Sequence, residues 1–276
     1  MFSASLKAVL ALVLAVLLGV SLPTVAQARE LRVCADPNNL PFSNSAEQGF
    51  ENRIVHIVAD ELGADLSYVW WAQRRGFISN ALNADLCDLI AGISDVPGLL
   101  LTYPAYYRSS YVFVTRADQE PIRSFDDPRL KTLQIGIQLV GEESSTPPAA
   151  ALAGRSITQN VHGYSLLADY RTPNPPAAII DALARGEIDV AVVWGPLAGY
   201  FAAQHEGLAV TPTQHPFERP ELPMAFDVAM GLRLDEGALR QEIEGALTRR
   251  RSDIDAVLAQ YHVPRLDHPR REGSAR

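Results

Sequence analysis

Apolar runs of strand length alternate with stretches of helical periodicity along most of this 276-residue chain, and few folds accept that order. Leu31-Arg32-Val33-Cys34-Ala35 is a short apolar run that ends in the turn chemistry of Asp36-Pro37-Asn38-Asn39. Glu51 to Leu62 places Ile54, Val55, Ile57, Val58 and Leu62 on a helical stripe, and Gly63 follows at the position that closes helices in the left-handed conformation. Asp65 to Trp71 alternates as a strand, Phe77 to Leu86 reads as a helix, and Asp88 to Ile93 reads as a buried strand. A β-α-β-α-β order of this kind predicts a parallel sheet with helices on its faces.

A second series follows. Tyr111 to Val114 and Thr132 to Leu139 read as strands, with a polar, turn-rich stretch over Ser124–Leu130 and a polar loop over Gly141–Pro148. Pro176 to Gly186 has proline at its start and glycine at its end, the asymmetry of a helix. Ile188 to Trp194 is a buried strand, Phe226 to Leu232 another, and Leu239–Leu247 and Ser252–Leu258 are closing helices. From Arg265 onward the chain reads as a solvated, frayed end. The segments Ala84–Ala91 and Ala184–Ala191 echo each other: a helix end, a polar link, an Asp and an apolar strand. Two similar α/β lobes would produce that echo. Ligands of open α/β sheets sit at the carboxyl ends of the strands, so both strands should end at a crevice.

Residues 1–28 stand apart from this pattern. Lys7, the apolar run Ala8–Val20 and the small residues Ala26 and Ala28 have the layout of a cleavable secretory signal. The run is too short for a bilayer span, which needs about 20 apolar residues. The expected product is an exported periplasmic protein that begins near Arg29 and has no membrane span. Its net charge of −8 for the full chain argues against a nucleic-acid partner. Export also makes Cys34 and Cys87 a disulfide candidate. Against the bridge stands a strand offset of about four residues, roughly 13 Å at strand rise, where a disulfide wants Cα atoms within about 7 Å. Both alternatives stay open at this stage.

Leu40-Pro41-Phe42-Ser43, Gly49-Phe50-Glu51-Asn52, Cys87-Asp88-Leu89-Ile90-Ala91-Gly92-Ile93 and Pro104-Ala105-Tyr106-Tyr107-Arg108-Ser109-Ser110 occur in the order in which type 2 periplasmic solute-binding proteins carry such segments. The chain resembles that family throughout its mature length. The resemblance implies two α/β lobes, residues 29–108 with 228–276 and residues 109–227, hinged near Tyr107–Ser110 and Ala225–Val228 around a central cleft. Gln73-Arg74-Arg75-Gly76-Phe77, Asn174-Pro175-Pro176 and the run Asp189 to Phe201 resemble a narrower branch, the J-type solute-binding-like proteins associated with PQQ-dependent methanol dehydrogenases. Within it the likeness is stronger to the form accompanying the lanthanide-dependent enzyme. The implied role is that of an accessory assisting the dehydrogenase in maturation or activation. The alternative is an ABC-importer receptor for a small organic solute. Amino-acid-binding members usually carry an Arg shortly after the third strand and an acid after the second lobe's Asp-containing strand. Here Ser94-Asp95-Val96-Pro97-Gly98-Leu99 and Trp194-Gly195 stand at those places. A zwitterion would lose both charge partners, which is costly in a dry site.

The candidate ligand or partner residues are Asn38, Asn39, Arg74, Arg75, Tyr106 and Trp194. Each has a plainer reading. Asp36-Pro37-Asn38-Asn39 is also an ordinary turn, and Arg74 and Arg75 could bridge the lobe's own acids instead of gripping a carboxylate. Trp194 could stack on a ligand or pack in the core, Tyr106 and Tyr107 could serve hinge packing, and Glu142 and Glu143 read as a solvated pair. The six histidines show no HxxxH spacing, and neither a GxSxG nor a Walker loop occurs. The sequence therefore offers no catalytic set, no metal site and no cofactor fingerprint, and the expectation is a binding protein.

Overall fold

The structure, a computed structural model, describes residues 29–94, 96–139, 146–166, 171–214, 217–219 and 222–266. The leader, Asp95, Glu142, Glu143, His215, His268, Arg270, Arg271 and Arg276 lie outside the described residues.

Strand β1 (Arg29–Ala35) has parallel neighbours on both sides, β2 (Ala64–Trp70) and β3 (Leu89–Ile93), with helix α1 (Phe50–Leu62) joining β1 to β2. This is the β-α-β order read from the sequence. Alternation along β1 divides its side chains between two cores. Leu31 and Val33 meet Phe50, Ile54, Val55 and Val58 of α1, while Cys34 faces Phe77, Leu82 and Cys87 on the other side. The helix is closed by Gly63 at φ 61°, whose N–H bonds back to the carbonyls of Ala59 and Asp60. At its start the Asn52 amide oxygen accepts the Gly49 N–H at 3.1 Å. Gly49 must be glycine, because a Cβ there would lie 1.9 Å from the Phe42 carbonyl oxygen.

The second lobe is built on β4 (Tyr107–Arg116), β5 (Ile135–Leu139), α2 (Pro147–Ala153), β6 (Val161–Ser165), α3 (Ala178–Ala184), β7 (Val190–Trp194), α4 (Gly195–Ala202) and β8 (Leu208–Pro212). β7 lies parallel to β5 and antiparallel to β4, β6 is parallel to β5, and β8 pairs β4 from its other edge. Both faces of this sheet are buried. Val112, Val114, Ala191 and Val193 enter one core with α3 and α4, and Phe113, Val190 and Val192 enter another with Phe125 and Leu152. That explains why β7 reads as a continuous apolar run.

β9 (Ala225–Leu232) joins the halves. Ala225–Val228 pair antiparallel with Tyr107–Ser110, and Ala229–Leu232 continue along β3. Arg108 and Asp227 pair across this junction at 3.0 Å. Helices α5 (Gly237–Arg249) and α6 (Arg251–Gln260) then cover the first lobe's core through Leu239, Ile243, Ile254 and Leu258.

Several expectations change. Phe77–Leu86 is not an α-helix but a single π-type turn over Ile78–Leu82. Gly76 at φ 87° and Asp85 at φ 58° bracket it, and the segment is tied down at Cys87, so a regular helix has no room to propagate. Cys34 and Cys87 are joined in a disulfide with Cα atoms 5.5 Å apart. The offset distance does not arise because Cys87 precedes β3 and does not continue its line; the register sets Cys34 beside Ile90. Helix α2 begins inside the expected polar loop over Gly141–Pro148. The chain at Arg265–Leu266 is not frayed: the Leu266 N–H donates to the Arg108 carbonyl at 2.9 Å, and Arg265 pairs with Asp255. Among the described residues no helix is long and apolar enough to cross a membrane.

Candidate functional site

The carboxyl ends of β3 and β7 meet at one cavity of about 390 Å³, as the crevice argument requires. The turn after β1 forms one wall. Buried Asp36 organises it, accepting the N–H groups of Asn38 at 2.8 Å and Gln73 at 2.7 Å, while its own carbonyl accepts the Ser43 hydroxyl at 2.8 Å. Asn38 and Asn39 both line the cavity, yet their side-chain amides also hold protein groups. Asn38 donates to the Thr172 carbonyl at 3.0 Å, a contact between the lobes, and Asn39 donates to Gln73 Oε1 at 3.1 Å.

The wall from the second lobe is Trp194, the last residue of β7. Its N–H donates to Gln138 Oε1 at 2.9 Å, and its ring lies 5.5 Å from Tyr111 and 5.8 Å from Phe226, edge-on to both. The run after Trp194 folds as α4, and its glycines let it sit close against its neighbours. A Cβ at Gly195 would come within 2.7 Å of the Ser109 hydroxyl and the Ser110 carbonyl, and one at Gly199 within 1.9 Å of the His262 carbonyl. Close seating of α4 on the crossing strand and on the chain after α6 fixes Trp194 at the cavity mouth.

The sequence reading missed the group with the most unusual environment. Glu51, in the first turn of α1, lines the cavity and is only 8% exposed. Its carboxyl rests on Gly92 of β3, where a Cβ would lie 1.9 Å from Oε1. Burial pushes the Glu51 carboxyl up to about 8. The signal was present: Glu51, Ile54, Val55 and Val58 share one helical stripe, so an acid stands on the buried face. Gln138 was missed as well. It is 2% exposed, and with Oε1 taken by Trp194 its Nε2 has no partner.

Tyr106 does not reach the cavity. It is buried behind Gly92, its hydroxyl has no hydrogen-bond partner, and its neighbour Tyr107 lines the wall instead. Burial, and to a lesser extent the nearby Glu51, raises both tyrosines well above the usual phenol range. Arg74 and Arg75 are exposed and also lie outside this cavity. Arg74 borders a neighbouring depression, lined by Phe77 and Asn83, that shares Gln73 and Ile93 with the main one. Among the described residues, no Lys or Arg lines the main cavity, and no three His, Cys, Asp or Glu side chains gather as a metal site.

Two α/β lobes, crossing strands and a cavity at the strand ends define a type 2 periplasmic binding protein. No family model matches the chain. It is 35% identical over 250 residues to protein MoxJ of Methylorubrum extorquens, covering 86% of this chain and 81% of that one. It is 31% identical over 262 residues to MoxJ of Paracoccus denitrificans, covering 90% and 94%. A crystal structure of the periplasmic binding protein XoxJ from Methylobacterium extorquens superposes with a TM-score of 0.71 at 39% identity, covering 86% of this chain and all of that one. The chain belongs to the MoxJ/XoxJ family.

Proposed function

We propose that this protein is a periplasmic accessory of a PQQ-dependent methanol dehydrogenase, of the lanthanide-dependent kind, and that it acts by binding and not by catalysis. The observation that carries the reading is the likeness to MoxJ over 86% of the chain. The cavity agrees with it, since none of its described lining residues supplies the cation that would grip an amino acid's carboxylate. In this reading residues 1–28 direct export and are removed. Residues 29–108 with 228–276 and residues 109–227 then form the jaws of a clamp, and a bound group sets its open and closed populations. A second reading, a receptor passing a small organic solute to an ABC permease, is favoured by the cavity's ligand-sized volume.

The test is a titration of the mature protein onto apo and PQQ-loaded methanol dehydrogenase from the same organism. Saturable binding or a rise in active enzyme supports the accessory role, and Arg74→Ala, Arg75→Ala and Trp194→Ala then map the contact. No binding and no activation in either form removes it and leaves the solute receptor.

A further inference from the structure

The main cavity is chemically lopsided. Its first-lobe wall carries two carboxyl groups, Asp36 and Glu51, and no described lining residue is basic. Tyr107, Tyr111, Trp194 and Phe226 supply aromatic surface around it. On the second-lobe side, Gln138 offers an N–H₂ that is held in direction by the Trp194 N–H on its oxygen and is left without a partner. A buried donor of that kind costs free energy unless something accepts from it. Carboxylates together with aromatic faces attract organic cations, most strongly where water is excluded, and they repel anions.

We infer that this cavity is a receptor site for a small organic cation carrying a hydrogen-bond acceptor: the cationic end lies between Glu51 and the aromatic rings, and the acceptor end takes the Gln138 amide. The two ends engage different lobes, so occupancy would bias the clamp toward closure. This goes beyond the accessory reading and stands independently of any dehydrogenase. The groups facing Glu51 are the phenols of Tyr68 on β2, Tyr106 behind Gly92 and Tyr107 on the crossing strand. All three are held protonated, chiefly by burial, so Glu51 is the group among them that can answer the ligand's charge. With its carboxyl raised to about 8, Glu51 is largely protonated at neutral pH and releases that proton as the cation binds.

The experiment is calorimetry on the mature protein with three probes: choline, its uncharged isostere in which a tert-butyl group replaces the trimethylammonium, and tetramethylammonium, which lacks the acceptor. Choline is expected to saturate the site and to bind at least about tenfold more tightly than the isostere. Titration in two buffers of different ionisation enthalpy should show proton release at neutral pH. Affinity should rise by up to about tenfold per pH unit below the Glu51 midpoint and level off above it. Glu51→Gln should abolish the proton release and the preference over the isostere. Gln138→Ala should weaken choline and leave tetramethylammonium unchanged. The proposal is overturned if neither cation saturates at millimolar concentration, if the isostere binds as well as choline, or if choline binds without proton release. The last two readouts use the unaltered protein, so a variant that fails to fold does not shield the idea.

Discussion

The turn that launches β3 and the turn that launches β7 are the same device built twice. In the first lobe the Leu86 N–H reaches the Ala81 carbonyl at 3.0 Å, Asp85 takes φ 58°, and the buried Cys87 follows. In the second the Glu187 N–H reaches Ala182 at 3.0 Å, Gly186 takes φ 75°, and the buried Ile188 follows. Asp88 then accepts the Arg32 N–H at 2.8 Å, and Asp189 accepts the Gln134 N–H at 2.9 Å, so each ties its strand to the neighbour. The lobes diverge at the other end of these strands. β3 ends in Gly92-Ile93, and the missing side chain leaves room for the Glu51 carboxyl. β7 ends in Val193-Trp194, a residue with a large ring whose backbone N–H is fixed by Gln138. The frame repeats, and the chemistry that faces the cavity does not.

Breaking the turns should reveal different fastenings. The first lobe's turn is held covalently, across a sequence separation of 53 residues. Replacing both Cys34 and Cys87 by Ser should cost roughly 4 kcal/mol on the chain-entropy account, read as a shift in the denaturation midpoint. The second lobe's turn relies on packing, so Ile188→Ala should cost about 3 kcal/mol in the same assay and be insensitive to reductant. An equal response of both lobes to reduction would contradict this division.

Glu51 sharpens the comparison at the strand ends. Its folded-state value, about 8, lies above its ordinary value of 4.5. The folded protein therefore holds a proton that the unfolded chain gives up, and stability should fall as pH rises from about 5 through 8. Glu51→Gln should flatten that slope, measured by urea unfolding across the range. Asp88 behaves oppositely. Burial works against its charge, but the Arg32 side-chain and backbone hydrogen bonds outweigh it and lower its value. The stabilisation it provides is present above the ordinary Asp range and lost as acid protonates it. Asp88→Asn should cost about 1 kcal/mol at neutral pH, with a smaller cost in acid. The smallest effect expected is at Gly186, whose positive φ disfavours a side chain: Gly186→Ala should cost about 1 kcal/mol or less.

Much of the frame was legible. The α1 stripe, its glycine stop, the echoing turns and the crevice at both strand ends follow from local periodicity and turn chemistry, which depend on neighbours in sequence. Asn38, Asn39 and Trp194 were placed at the cavity by the same logic. Gln138 was not, because its role rests on a hydrogen bond to a residue 56 positions away, and inside an apolar strand it looks like a mild exception. The glycines of α4 have a similarly non-local cause, since the close approach of Ser109 and His262 leaves no room for side chains there. Tyr106 and Tyr107 are adjacent in sequence, yet Tyr106, just before β4, packs behind Gly92 while Tyr107, the first residue of β4, lines the cavity.

The measurement that tests the account most directly is the titration of the Glu51 carboxyl itself, followed by carboxyl-carbon NMR and assigned by its loss in Glu51→Gln. The structure predicts a carboxyl still protonated at pH 6, with its midpoint near 8. A carboxylate already ionised at pH 6 would contradict the buried, cavity-facing acid on which the contrast between the lobes rests.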